Sequence, residues 1–234
     1  MKKKQLSVLL LTAVILGSNL TSVPAYADIE SNIGTIEFGL AEDNTDVTDP
    51  DGENNIDIPT KPGEFVIAYA PNFYFGENEI SALTTQYPAD ADEFAEIEDG
   101  VLTGQTIKRA HHAQVRDLRG SGSGWTLSLA MSSDGFTNAN DHKILGTKLL
   151  LNAPISNVNA AAVTLNPGES VSAMSALPGT GEGLSTVMWG TTDALENGKN
   201  PSILLEIPGN SGIQAETEYT ATLTWTLAAT PANP

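Results

Sequence analysis

The chain has 234 residues, 11 of them Lys or Arg and 29 Asp or Glu, for a formal net charge of −18. So acidic a surface repels nucleic acid and anionic lipid, which proteins hold through Lys and Arg contacts to phosphate. Cysteine is absent. That excludes a disulfide framework, a thiol nucleophile and a lipid-modified N-terminal Cys.

The first element in chain order is a leader. Met1-Lys2-Lys3-Lys4 is a positive start, the apolar run over 6–16 is broken only by Ser7 and Thr12, and Ala25-Tyr26-Ala27 sets small residues before Asp28. The run is too short to span a bilayer, so residues 1–27 are predicted to be a cleaved signal peptide. Cleavage leaves 207 residues with 8 basic against 29 acidic side chains, a charge of −21. No run of about 18 apolar residues remains, so no membrane insertion is expected after cleavage. Residues 228–234 carry no sorting motif, apolar tail or basic end, so the expectation is export without a covalent anchor.

Residues 28–63 are acidic and turn-rich and are predicted to form a flexible N-terminal segment. The alternation Asp49, Asp51, Glu53 suggests calcium, but it lacks the Gly at position 6 and the bidentate Glu at position 12 of an EF-hand loop. A solvated acidic linker is the better reading.

The folded body is expected over 64–234. Strand signals are Phe65-Val66-Ile67-Ala68-Tyr69-Ala70, Asn72-Phe73-Tyr74-Phe75-Gly76, residues 124–131, 148–151, 161–165 and 202–207. The clearest lies over 219–227, where Tyr219, Ala221, Leu223, Trp225 and Leu227 share one face and four threonines line the other. Residues 90–97 could make one short helical turn. Pro-Gly pairs at 167, 178 and 208 punctuate the second half. Many short strands between such turns predict an all-β, antiparallel sandwich or barrel-like domain with little helix.

Catalytic parts are hard to find. His111 and His112 are adjacent, so on a strand they face opposite ways and cannot chelate one metal; they and His142 are expected at the surface or a strand edge. Gly120-Ser121-Gly122-Ser123-Gly124 precedes a strand and lacks the helix of a nucleophile elbow. No carboxylate pair stands out among 29 acids. A non-enzymatic protein without a cofactor is expected.

The tryptophans are more informative. Two of the three sit in one context, Trp125-Thr126-Leu127 and Trp225-Thr226-Leu227; Trp189 is the third. A Trp and a Leu two apart on a strand pack inward together, yet a flat indole also stacks on sugar rings, and periodicity leaves both roles open. Ahead of the first motif, Asp117 and Arg119 are spaced to pair, with Arg119 near enough in sequence to cover an indole.

These two motifs, with Val115-Arg116-Asp117-Leu118-Arg119 before the first and Pro71-Asn72-Phe73-Tyr74-Phe75-Gly76 near the domain start, resemble the WxL-domain surface proteins of low-GC Gram-positive bacteria. Leu118 stands where the family pattern carries Thr. The resemblance implies secretion and non-covalent retention at the cell wall, with peptidoglycan as ligand. It also implies complexes with other WxL proteins and with membrane-anchored WxL-interacting proteins, and for some members adhesion to host matrix proteins. At −21 the chain gains nothing from charge attraction to phosphate-rich wall polymers, unless Lys108, Arg109, Arg116 and Arg119 form a local basic patch.

Overall fold

The computed structural model describes residues 48–53, 55–58 and 61–229. The leader read at residues 1–27 lies outside them. In chain order the strands are β1 (Ile56–Asp57), β2 (Phe65–Tyr69), β3 (Thr85–Asp90), β4 (Asp92–Glu98), β5 (Val101–Arg109), β6 (His112–Asp117) and β7 (Trp125–Met131). They continue as β8 (Lys148–Leu151), β9 (Pro154–Ser156), β10 (Val163–Leu165), β11 (Ser170–Ala176), β12 (Gly183–Trp189), β13 (Lys199–Ile207) and β14 (Leu223–Ala228). The helical content among the described residues is one 3-10 turn, Thr192–Ala194.

Every pairing is antiparallel, and the strands assemble into four sheets, ordered β1-β4-β5, β2-β6-β12-β9, β10-β8-β13-β3 and β11-β7-β14. The all-β expectation holds. Three sheets turn apolar faces onto one core: Val115, Val187 and Trp189 from the second, Leu149, Leu151 and Ile203 from the third, Trp125, Leu127 and Leu129 from the fourth. The first sheet has its own small cluster, Ile56, Ile58 and Phe94, closed by Tyr69 and Ile107.

Two local expectations fail for tertiary reasons. Residues 90–97, read as a helical turn, instead end β3 and form most of β4. Burying Phe94 against Ile56 and Ile58 outweighs the weak helix-start signal of the neighbouring acids. Residues 72–76, read as a strand, belong to no sheet. Phe73 and Phe75 still turn toward the core while Tyr74 stays 68% exposed, so the side chains alternate without a ladder.

β6 explains much of the rest, because all six of its residues are buried. Ala113 and Val115 face the main core, as a half-buried strand would require. On the opposite face, His112 is covered by Tyr69 and Phe94, and Gln114 and Arg116 by the acidic stretch that precedes β2. Gln114 Nε2 donates to the Thr48 carbonyl at 2.7 Å, and the Arg116 guanidinium donates to the carbonyls of Lys61 and Gly63. Nearby, Arg109 is 3% exposed and reaches Asp49 at 3.3 Å and Glu53 at 3.0 Å, with Asn55 also accepting from it.

The described part of the acidic stretch is therefore packed, against the expectation of a solvated linker. Asp49 is 5% exposed, and β1 extends the sheet of β4 through Ile56↔Glu96 and Asp57↔Ala95. The carboxylates of Asp49, Asp51 and Glu53, considered for calcium, converge on Arg109 instead. A desolvated guanidinium needs such partners, which is what draws an acid-rich segment onto a protein surface. Asp49→Ala leaves Arg109 buried with weaker partners. It should cost about 2 kcal/mol in urea unfolding; a change within experimental error would show that the pair sits in solvent.

Candidate functional site

The two Trp-x-Leu motifs lie on neighbouring strands of one sheet. β14 pairs with β7 so that Leu227 faces Leu127 and Trp225 faces Leu129. Despite this adjacency the two indoles have different surroundings. Trp125 is fully buried and its Nε1 donates to the Gly181 carbonyl at 3.1 Å. A Cβ on Gly181 would lie 2.3 Å from the Ala176 Cβ and 2.9 Å from the indole nitrogen, so the backbone closes over the ring in a way only glycine permits. Trp189 is also fully buried, and its Nε1 has no partner among the described residues. Trp225 is half-buried, its ring 6.1 Å from that of Trp189. Leu127 is fully buried and Leu227 packs on the core edge.

Of the seven site residues singled out from the sequence, Trp225 is the one that lines a groove of about 890 Å³, to which it gives its exposed flank. The other rings in the groove wall are Phe73, Tyr74, Phe75, Tyr87, Phe136 and Tyr219. Those seven are half of the 14 aromatic residues in the chain; all but Tyr74 also pack against a core cluster. The coil that carries three of them is held in place from several sides. Asp90 N donates to the Tyr74 carbonyl at 2.6 Å, Tyr87 Oη to the Glu79 carbonyl at 3.0 Å, and Lys199 Nζ to the Phe75 carbonyl at 3.3 Å. The polar lining is acidic, with Glu77, Glu79, Asp90, Glu216 and Glu218; Lys199 offsets Asp90 at 2.5 Å. Flat aromatic faces flanked by hydrogen-bonding carboxylates suit a ligand with apolar faces and hydroxyl edges.

Asp117 and Arg119 pair as their spacing suggests, through Nε–Oδ1 at 2.8 Å and Nη2–Oδ2 at 2.7 Å. The guanidinium lies 3.6 Å from the centre of the Phe65 ring, not over an indole. Burial pushes the Asp117 carboxyl up, but hydrogen bonds and charge from Arg119 outweigh it and hold the group below its ordinary value. The pair braces β6 against the start of β2 and Gly124 and does not enter the groove. The basic patch considered from the sequence does not form, because Arg109 and Arg116 are buried in internal contacts.

The histidines correct a second expectation. His111 and His112 are not at the surface but 1% and 0% exposed. They do face opposite ways. His111 meets Phe73 and Asn200, whereas His112 stacks on Tyr69 at 4.5 Å and approaches Phe94. Burial lowers His111 to about 4 and His112 to about 3. Among the described residues no three His, Asp or Glu side chains converge as metal ligands.

A family model of the WxL domain, a surface cell wall-binding domain, matches residues 27–231. The chain belongs to the WxL family. No curated protein and no solved structure matches it. The WxL match takes in residues 28–63 as well as the sheets, in keeping with the packing of Asp49 and Ile56. The family description places the protein at the cell surface as a wall-binding domain, and no helix among the described residues is long and apolar enough to cross a membrane. The groove residues other than Trp225 were not singled out from the sequence. Their local signals are the aromatic run Phe73-Tyr74-Phe75 and the alternating face that carries Tyr219, both of which read as strand.

Two outcomes follow from this geometry. Trp125→Ala should cost about 3–5 kcal/mol and Trp225→Ala about half that, measured by chemical unfolding; equal costs would mean that Trp225 is core and the groove is closed in solution. The buried histidines stay neutral when folded but accept protons near their ordinary value when unfolded. Stability from this source is thus complete above about pH 6.5 and falls as the pH drops toward about 4. Melting temperature should decline between pH 6.5 and 5, and His112→Gln should flatten that slope; an unchanged slope would mean that His112 is solvated.

Proposed function

We propose that the protein is a non-catalytic surface protein, exported by the leader at residues 1–27 and retained non-covalently on the Gram-positive wall, where it assembles with WxL and WxL-interacting partners. In this reading the aromatic groove holds a glycan strand of peptidoglycan. The observation that carries it is the gathering of half the aromatic side chains along one open groove, in a domain of a wall-binding family. Trp225, backed by Trp189, and the exposed Tyr74 offer flat faces to sugar rings, and the rim carboxylates accept hydrogen bonds from hydroxyls.

Charge selects among mechanisms of retention. Without the leader, a chain at −21 meets a wall bearing phosphates and carboxylates, and its arginines 109 and 116 are internally engaged. Stacking and hydrogen bonding, which salt screens little, then have to supply the affinity. Assembly with partner proteins escapes the repulsion because it needs only a local uncharged surface.

The test is co-sedimentation of residues 28–234 with protein-free peptidoglycan over a salt series. Retention should persist or rise with salt, and Tyr74→Ala and Trp225→Ala should each weaken it about ten-fold, equivalent to roughly 1.4 kcal/mol. Tyr74→Ala should leave the melting temperature unchanged. Release at moderate salt, or full retention by both variants, would refute the groove as the wall contact.

A further inference from the structure

β14 is an edge strand that lacks the protection every other edge carries. Natural sheets blunt their edges with short strands, proline, bulges or lysine, since an open edge invites pairing with another chain. Here β1 has two residues, and β9 and β10 have three each. β3 contains Pro88. β2 and β11 are bulged at Ile67/Tyr69 and Ser172/Met174, and β5 loops out opposite Ala95/Ile97 and carries Lys108. β14, by contrast, runs six residues in unbroken register with β7 and contains no Pro, Gly or charged side chain.

The direction of its backbone can be followed from the flanking bonds. Thr220 exchanges both backbone bonds with Thr137 at 2.9 Å, and the Thr222 carbonyl accepts from Ser132 N at 2.9 Å. On β7, Met131 bonds in the other direction, to Gly168 and Glu169. Backbone groups alternate along a strand, so Thr224 and Thr226 point theirs at β7. Leu223, Trp225 and Leu227 therefore aim their N–H and C=O groups away from β7, at the side where β14 has no strand neighbour among the described residues. The apolar layer is unfinished here as well. The β7 residues opposite them, Leu127, Leu129 and Met131, are at most 3% exposed, whereas Leu223, Trp225 and Leu227 are only half-buried.

We propose that this edge accepts an extended segment of a partner polypeptide as an added strand. The segment alternates small polar and apolar side chains and is flanked by Lys or Arg. Charge chooses this occupant over a second copy of the chain. Glu216 and Glu218 lead into β14 and Glu77 and Glu79 stand across the groove, so another copy would bring its own carboxylates against them. Main-chain bonds to the three outward residues supply the affinity, and the flanking cations answer the acidic rim. The inference bears on the partner-binding part of the function above and is independent of the glycan reading.

The probe is an eight-residue peptide of alternating threonine and valine with lysine at both ends, titrated into residues 28–234 with no wall material present. In the free protein the amides of Thr224 and Thr226 should exchange slowly with solvent and those of Trp225 and Leu227 quickly; peptide should slow the latter pair. N-methylation of alternate peptide nitrogens in one frame should weaken binding at least about ten-fold, and in the other frame hardly at all, because only one frame faces the edge. Glutamate in place of the terminal lysines should weaken binding about as much. Absence of new amide protection, equal tolerance of both frames, or a self-associating chain in which Trp225 and Leu227 are already protected would overturn the proposal. Failure here would leave wall retention untouched, and loss of wall retention would leave this result standing.

Discussion

The antiparallel pairing of β7 with β14 is the contact on which the rest of the molecule depends. It brings together two segments about a hundred residues apart and sets their apolar faces on one side, with Leu127 against Leu227 and Leu129 against Trp225. The first strand lies inside the sheet and is sealed by β11; the second lies at its edge. That difference in position, rather than any difference in sequence, gives two near-identical tripeptides opposite fates. Trp125 becomes a fully buried post capped by Gly181, and Trp225 becomes a wall of the groove. A motif repeated in sequence is not a function repeated in space.

A second dependence runs through β6, which has no solvent face. Covering its polar side requires partners for Gln114, Arg116 and the neighbouring Arg109, and an acidic, carbonyl-rich stretch supplies them. Hydrogen bonds to a buried guanidinium are worth more than neutral ones and are costly to lose, so a segment with little apolar surface can still be held. His112 belongs to the same layer: between Tyr69 and Phe94, it fills space as a neutral aromatic ring.

The alternation over 219–227 was legible because one face is apolar, the other is threonine, and nothing nearby competes; the structure repeats it residue by residue. The same holds for Trp125, Leu127, Leu129 and Met131. What escaped had causes outside the local window. Residues 90–97 carry helix-start acids, but Phe94 finds its cluster on β1, forty residues earlier in the chain. Phe73 and Phe75 read as strand because their side chains do alternate; that their backbone joins no sheet depends on what surrounds them. Asp49 reads as solvated because nothing near it in sequence reveals a buried Arg109 sixty residues away. The groove was partly hidden for the same reason, since Tyr87, Phe136 and Tyr219 are far apart in sequence and converge only in the folded chain.

The acidity that first excluded nucleic acid also bears on how an unprotected edge is tolerated. Six uncharged residues, three of them with outward main-chain groups, would ordinarily pair with their own kind. Here the charges that oppose such pairing are displaced from the strand onto its approaches, at Glu77, Glu79, Glu216 and Glu218, and onto a chain at −18 as a whole. A lysine within β14 would block every partner alike, whereas carboxylates around it repel copies of this chain and admit a strand of opposite charge. The edge stays usable because its protection is electrostatic and lies outside the strand.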